Sequence, residues 1–284
     1  MRWQWLIMYK SPPNILVSVF RGARLALHLL YGILLAIFYP HLNQIRQRRM
    51  LKRWSRRLLT ILNIGIQIEG RQPARGEGGC LIVANHVSWL DIFVLNALYP
   101  SRFIAKSEVR GWPVIGWLCQ RSGTIFVERA VRQNAASINQ YVGMLLRQGV
   151  CVGLFPEGTS TDGRQVGHFH SALIQPAIDA GVKLCPISLR YQDEAGELSG
   201  AAAFTGDTTL AQSICRILRC RQLNVLVVFN PTLIAATENR RALARAAQDS
   251  IAQALQHITR PARQTRQATA SAISQTLPSA QSAP

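Results

Sequence analysis

From Cys80 onward, short apolar and β-branched runs alternate with helical stretches, and few folds accommodate that rhythm. The runs Leu81–Ala84, Arg102–Ala105, Thr124–Val127, Val150–Phe155, Lys183–Leu189 and Asn224–Phe229 read as strands. Between and after them, Trp89–Leu98, Val114–Gln120, Asn134–Arg147, Ser171–Ala180 and Glu238–Ile258 read as helices. Such alternation predicts an α/β domain with a mostly parallel central sheet flanked by helices, since parallel strands need a crossover between them. Pro186 is expected to interrupt its strand, which would line a wall of the domain. Residues 192–210, polar and glycine-containing, read as a surface excursion. The domain is expected over residues 61–260, after an N-terminal segment of residues 1–60 and before a tail of residues 261–284. That tail is rich in Ala, Ser, Gln, Thr and Pro and reads as disordered.

The N-terminal segment predicts attachment to a membrane. The run Leu25–Tyr39 carries no formal charge and ends at Pro40. As a helix it measures about 22 Å, short of the ~30 Å hydrocarbon core of a bilayer. Counting from Ile15 supplies the length but brings Arg21 and Arg24 inside. No small-x-small cleavage site precedes Pro40, which argues against a signal peptide. The stretch Arg46–Arg57 then places seven positive residues in twelve positions, with Ile45, Leu51, Trp54, Leu58 and Leu62 spaced as on one helical face. An isolated basic helix of this kind could serve as a nucleic-acid arm. Beside an apolar run it reads as interfacial, on the cytoplasmic face of the inner membrane, spanning once or dipping into one leaflet. The net charge of +18, from 32 basic and 14 acidic residues, accordingly points to anionic membrane lipid, and no nucleic-acid partner is expected. The six cysteines form no Cys-x-x-Cys pair and read as reduced thiols facing the cytosol.

Candidate chemistry lies just past the strands. His86 follows Leu81–Ala84, and Asp91 follows five positions later, one turn into the next helix. Asp91 is then within reach of the ring, where it would fix the tautomer and stabilise an imidazolium. The same spacing also reads as a Ser88–Asp91 capping box. No Gly-x-Ser-x-Gly occurs, so a histidine base here would activate a substrate hydroxyl directly. Phe155-Pro-Glu-Gly-Thr-Ser-Thr-Asp-Gly163 follows another strand, with Pro156 and Gly158 imposing a turn that presents Glu157. Gly123-Thr-Ile-Phe-Val-Glu-Arg129 ends in an arginine suited to a phosphate. His168 and His170 lack the further ligands that a zinc site needs.

Asn-His-(x)4-Asp, Gly-x-Ile-Phe-Val-x-Arg, Phe-Pro-Glu-Gly-Thr and Val-x-x-x-Pro-Ile, in this order, resemble the four blocks of the glycerolipid acyltransferase family. The resemblance covers about residues 60 to 230 and implies an α/β domain on an N-terminal membrane-associated helical segment. It implies that His86 is the general base and Asp91 its orienting partner. His86 would deprotonate the free hydroxyl of a lysolipid, which then attacks the thioester of acyl-CoA or acyl-carrier protein. Glu157, Gly158 and Thr159 correspond to the block implicated in acceptor binding, and Arg129 to the arginine expected on its phosphate. Lys106 matches a basic position common in the family. No metal or bound cofactor is implied. The leading expectation is acylation of 1-acylglycerol-3-phosphate to phosphatidic acid.

The chain departs from the family pattern at one place. Arginine usually follows Glu-Gly-Thr, and here Ser160 follows it, with Arg164 as the nearest basic residue of the loop. The form Glu-Gly-Thr-Ser-Thr-Asp-Gly is similar to that of lyso-ornithine lipid acyltransferases, so a lyso-ornithine lipid or another lysophospholipid stands as the alternative acceptor. The non-enzymatic alternative is a basic membrane- or nucleic-acid-binding protein in which the four blocks are only turns.

Overall fold

The computed structural model describes residues 15–73, 78–127, 132–235 and 239–275. Two helices come first, α1 (Ile15–Phe38) and α2 (Gln44–Ile61). Eight strands follow: β1 (Ile64–Gly70), β2 (Cys80–Ala84), β3 (Arg102–Lys106), β4 (Ile125–Val127), β5 (Val152–Leu154), β6 (Lys183–Gln192), β7 (Leu223–Phe229) and β8 (Leu233–Ile234). Interleaved with them are α3 (Leu90–Leu98), α4 (Ile115–Arg121), α5 (Arg132–Arg147), α6 (Gln175–Ala180), α7 (Leu210–Leu218) and α8 (Arg240–Gln275). The strands form one sheet in the order β1-β7-β6-β2-β5-β3-β4, with β8 also pairing β6. From β6 to β4 every pairing is parallel, whereas β7 runs antiparallel to β6 and carries β1 beside it. The expected mostly parallel sheet is therefore present, closed at one edge by an inverted pair.

Alternating residues of the central strands feed two cores. Ile82 and Ala84 of β2 join Leu58, Leu62, Leu90, Val94 and Tyr191 on one face of the sheet. Leu81 and Val83 join Leu146, Ile174, Ala247 and Ile251 on the other. Helices thus cover both faces, which is why the central strands read as continuous apolar runs rather than as strict alternation.

Three features differ from the sequence reading. β6 runs through Pro186 without a break. That residue lies where β6 exchanges β8 for β7 as its antiparallel neighbour, so no ladder partner requires the missing N–H. The excursion of residues 192–210 is not a free surface loop: Ala202 and Ala203 are buried, and the Phe204 amide donates to the Val87 carbonyl at 2.9 Å. α8 continues to Gln275, past the break expected after Arg260, although that stretch includes Pro261 and several Thr and Ser. Residues 276–284 of that tail lie outside the described residues, as do residues 1–14 of the N-terminal segment.

α1 and α2 belong to the domain. Leu25, His28, Gly32 and Ala36 point α1 inward at helical spacing, while Leu16, Phe20, Leu27, Leu30, Leu34 and Phe38 remain exposed. The segment Ile15–His41 is long and apolar enough to cross a membrane. The His28 ring stacks on Trp54 of α2 with centroids 4.6 Å apart, and its Nε2 lies 3.1 Å from the Trp54 carbonyl. The apolar stripe of α2, expected to face lipid, is instead largely spent on protein: Leu58 and Leu62 are buried, Leu51 and Trp54 are half-buried, and Ile45 is left exposed. Part of its basic cluster caps a neighbour. Arg56 donates to the Ala97 carbonyl at 3.0 Å and Lys52 to the Leu98 carbonyl at 3.2 Å, at the C-terminus of α3 where unpaired carbonyls carry partial negative charge.

Gly32 lets the two helices meet, because a Cβ there would lie 2.8 Å from the Trp54 indole nitrogen. Gly32→Val is expected to lower the unfolding free energy by about 1–3 kcal/mol, read by chemical denaturation in detergent. Gly111→Ala, where a Cβ meets nothing within 4 Å, is expected to change nothing.

Candidate active site

β2 ends at Ala84, but its neighbour β6 continues to Gln192. Asn85 bridges the difference with its side-chain amide. Nδ2 donates to the Leu189 carbonyl at 2.9 Å and Oδ1 accepts from the Leu189 amide at 2.8 Å, replacing two ladder bonds as the main chain turns away. The turn delivers His86 to the C-terminal edge of the sheet, where open α/β folds present their reactive groups.

His86 is held from several directions. Its Nδ1 is 2.8 Å from Asp91 Oδ2, and its ring stacks on Phe155 with centroids 4.1 Å apart and planes 13° apart. Phe155 in turn stacks on Phe103, so one face of the imidazole is closed by a column of rings running into the core. The His86 amide donates to Glu157 Oε1 at 2.7 Å, and its carbonyl accepts from the Thr161 amide at 2.8 Å. Among the described residues Nε2 makes no hydrogen bond, and the side chain keeps 22% exposure. The remaining nitrogen is thus free for a substrate proton.

Asp91 is fully buried. Besides the ring, Oδ2 accepts the amides of Val87 at 2.7 Å and Ser88 at 2.9 Å, and Oδ1 accepts the Tyr191 hydroxyl at 2.8 Å. The helix-start and catalytic-pair readings therefore describe one carboxylate, which ties down the entry to α3 and orients the histidine together. Burial and the neighbouring Asp91 push the Tyr191 phenol well above its ordinary value, so it stays a neutral donor.

The second block is brought to the first. Phe155–Gly158 forms a turn with Pro156 in its second position and a bond of 3.0 Å from the Gly158 amide to the Phe155 carbonyl. Gly158 sits at φ 72°, a conformation that glycine adopts without strain. Glu157 is buried behind His86, with Oε1 on the His86 amide and Oε2 on the Gly167 amide at 2.7 Å. Burial raises its carboxyl above the ordinary range, against the two amides that pull it down. Thr159 lies exposed in the same loop, and Lys106 is exposed at the end of β3. Arg129 lies outside the described residues. The Ser160 hydroxyl donates to the Phe204 carbonyl, pinning the excursion over this loop. Arg164 is largely exposed and its Nε lies 3.3 Å from Asp162 Oδ2. The sequence reading missed Tyr191, Phe155 and Phe103. Phe155 opens the Phe-Pro-Glu-Gly-Thr block and Tyr191 is a phenol on the inward row of Ile187 and Leu189, whereas Phe103 left no signal.

A family described as Acyltransferase matches residues 65–190. A 1-acyl-sn-glycerol-3-phosphate acyltransferase of Neisseria meningitidis is 40% identical over 198 residues, 69% of this chain and 77% of that protein. A lyso-ornithine lipid O-acyltransferase of Pseudomonas aeruginosa is 36% identical over 222 residues, 78% of this chain and 84% of that protein. The crystal structure of the 1-acyl-sn-glycerophosphate acyltransferase PlsC from Thermotoga maritima shares the fold, with a TM-score of 0.64 at 20% identity, covering 87% of this chain and 96% of that one.

Removing the Tyr191 hydroxyl strands one oxygen of a buried carboxylate. Tyr191→Phe is expected to lower the unfolding free energy by about 1.5–3 kcal/mol, the range for a hydrogen bond to a charged group. An unchanged denaturation midpoint would show that Asp91 does not depend on it.

Proposed function

The chain belongs to the acyltransferase family, and on that premise we propose that it moves a fatty acyl group from a thioester to the free hydroxyl of a lysolipid, with His86 as the base. The observation that carries this reading is the unpartnered Nε2 of a histidine whose Nδ1 is fixed by buried Asp91. Nε2 takes the proton of the acceptor hydroxyl, and the oxygen attacks the thioester carbonyl carbon. The imidazolium so formed keeps its Nδ1–H on Asp91, which lowers its energy as charge develops. The carbon–sulfur bond then breaks, and the departing thiolate receives the proton back from Nε2. No acyl-enzyme forms, and the sequence of steps needs no metal or bound cofactor. Glu157 holds the His86 loop from behind, while Gly158, Thr159, Lys106 and Arg129 are proposed on the acceptor side. Acyl-CoA or acyl-carrier protein serves as donor.

The proposed acceptor is 1-acylglycerol-3-phosphate, the substrate named for the Neisseria relative. A second reading, a lyso-ornithine lipid, is favoured by the loop after Thr159. Ser160 spends its hydroxyl on Phe204, and Arg164 points to solvent beside Asp162, so this loop supplies no free cation to a phosphate. Attachment to the cytoplasmic side of the inner membrane is proposed on the exposed apolar face of α1. Because the opposite face is held to the domain from Leu25 to Ala36, dipping into one leaflet suits the geometry better than spanning.

His86→Ala is expected to reduce acyl transfer by about 10²–10⁴-fold with an unchanged far-UV circular dichroism spectrum; full activity in that variant would refute the base assignment. An acceptor panel separates the two lipids. Purified protein given one acyl thioester is expected to turn over lysophosphatidic acid, and turnover confined to lyso-ornithine lipid would reverse the order of the readings.

A further inference from the structure

We propose that the other end of the sheet carries a second, non-catalytic site that takes the phosphate of an anionic phospholipid headgroup. A cleft of about 490 Å³ opens between the end of α1, α2, the start of β3 and α4, with Gln47, Arg102, Trp117, Gln120 and Arg121 on its walls. A smaller hollow shares Gln47 and Arg102 and adds Arg48. Among the described residues no acidic side chain lines either space.

The three arginines are placed rather than loose. Arg121 donates from Nε to the Ala36 carbonyl at 3.2 Å and from Nη2 to Ile37 at 3.0 Å, capping α1. Arg48 donates from Nη2 to the Gly149 carbonyl at 2.8 Å. Each keeps further N–H groups for a ligand. Arg102 makes no side-chain hydrogen bond among the described residues and lies against Gly123, where a Cβ would come within 3.1 Å of its Nε. Arg102 and Arg121 in the cleft, with Arg48 in the adjoining hollow, repel one another with no carboxylate among the lining residues, and a phosphate would relieve that while matching the forked geometry of guanidinium.

Position argues for a lipid phosphate over a free one. The cleft adjoins the last turn of α1, where Ile37 and Phe38 are exposed, and Trp112 and Trp117 are exposed nearby. Apolar side chains, tryptophan and arginine together mark a membrane–water boundary. The site is separate from the catalytic one. Arg102 opens β3 and Val150 and Cys151 precede β5, whereas His86 and Glu157 follow the opposite ends of β2 and β5. At its other end α1 is tied to α7, with Ser18 donating to Leu218 and Arg21 to Cys220. A headgroup in the cleft would therefore fix the far end of α1 at the bilayer surface and set how the domain sits on it. The proposal takes from the functional reading only that α1 faces lipid.

The test needs neither a bilayer nor acyl transfer. Full-length protein in uncharged detergent is titrated with dihexanoylphosphatidylglycerol, dihexanoylphosphatidylcholine and inorganic phosphate, following tryptophan fluorescence. Saturable binding is expected with the anionic lipid alone, weakened about fivefold by Arg102→Gln and unchanged by Arg49→Gln on the exposed side of α2. Gln120→Glu, which puts an acid in the cleft while keeping every arginine, is expected to weaken it as well. Equal losses in the Arg49 and Arg102 variants would reduce the effect to diffuse charge and overturn the site. Equally tight binding of phosphatidylcholine, or of inorganic phosphate, would overturn its assignment to an anionic lipid headgroup.

Discussion

The buried carboxylate of Asp91 is the interaction on which the site depends. It accepts from the His86 ring, the Val87 and Ser88 amides and the Tyr191 hydroxyl, and these donors come from the loop after β2 and from β6. An unpaired carboxylate at zero exposure would cost several kcal/mol, so the loop, the start of α3 and the end of β6 must assemble together or not at all. That shared requirement converts a flexible strand-to-helix connection into a fixed geometry, which proton transfer from a hydroxyl needs.

Around this centre the same economy recurs. Glu157 uses both oxygens on backbone amides and so locks the Phe155–Gly158 turn to the His86 loop. Phe155 supplies the flat face against which the imidazole rests. The excursion closes over the arrangement through Phe204, bonded to both Ser160 and Val87. Basic residues act similarly at helix ends: Arg56 and Lys52 on α3, Arg121 on α1 and Arg21 beside α7. The strongly positive composition is thus partly internal capping, which helps to explain why an amphipathic α2 belongs to the domain rather than lying free on a membrane.

Much of this was legible from residue order. The strand runs from β2 to β7 were found because buried parallel strands are continuous apolar segments, and the His86–Asp91 pair because five positions across a strand-to-helix turn bring ring and carboxylate together. β1 was missed although Ile64, Ile66 and Ile68 recur at every second position, since among the described residues it pairs with β7, far away in sequence. α7 was missed because it was hidden behind a polar loop read as surface. The role of Ser160 was likewise out of reach, since its partner Phe204 is brought close only by the folded excursion.

The sequence by itself determined the layered α/β class, the four blocks and the histidine with its acid, because these rest on local periodicity and short spacings. Only the tertiary structure decided that Tyr191 completes the carboxylate, that Glu157 serves the backbone of His86, and that Arg102 lies between Arg121 in one cleft and Arg48 in the adjoining hollow. Each of those facts is a contact between distant segments, and such contacts are fixed by sheet register and helix packing, which leave no local mark on the chain.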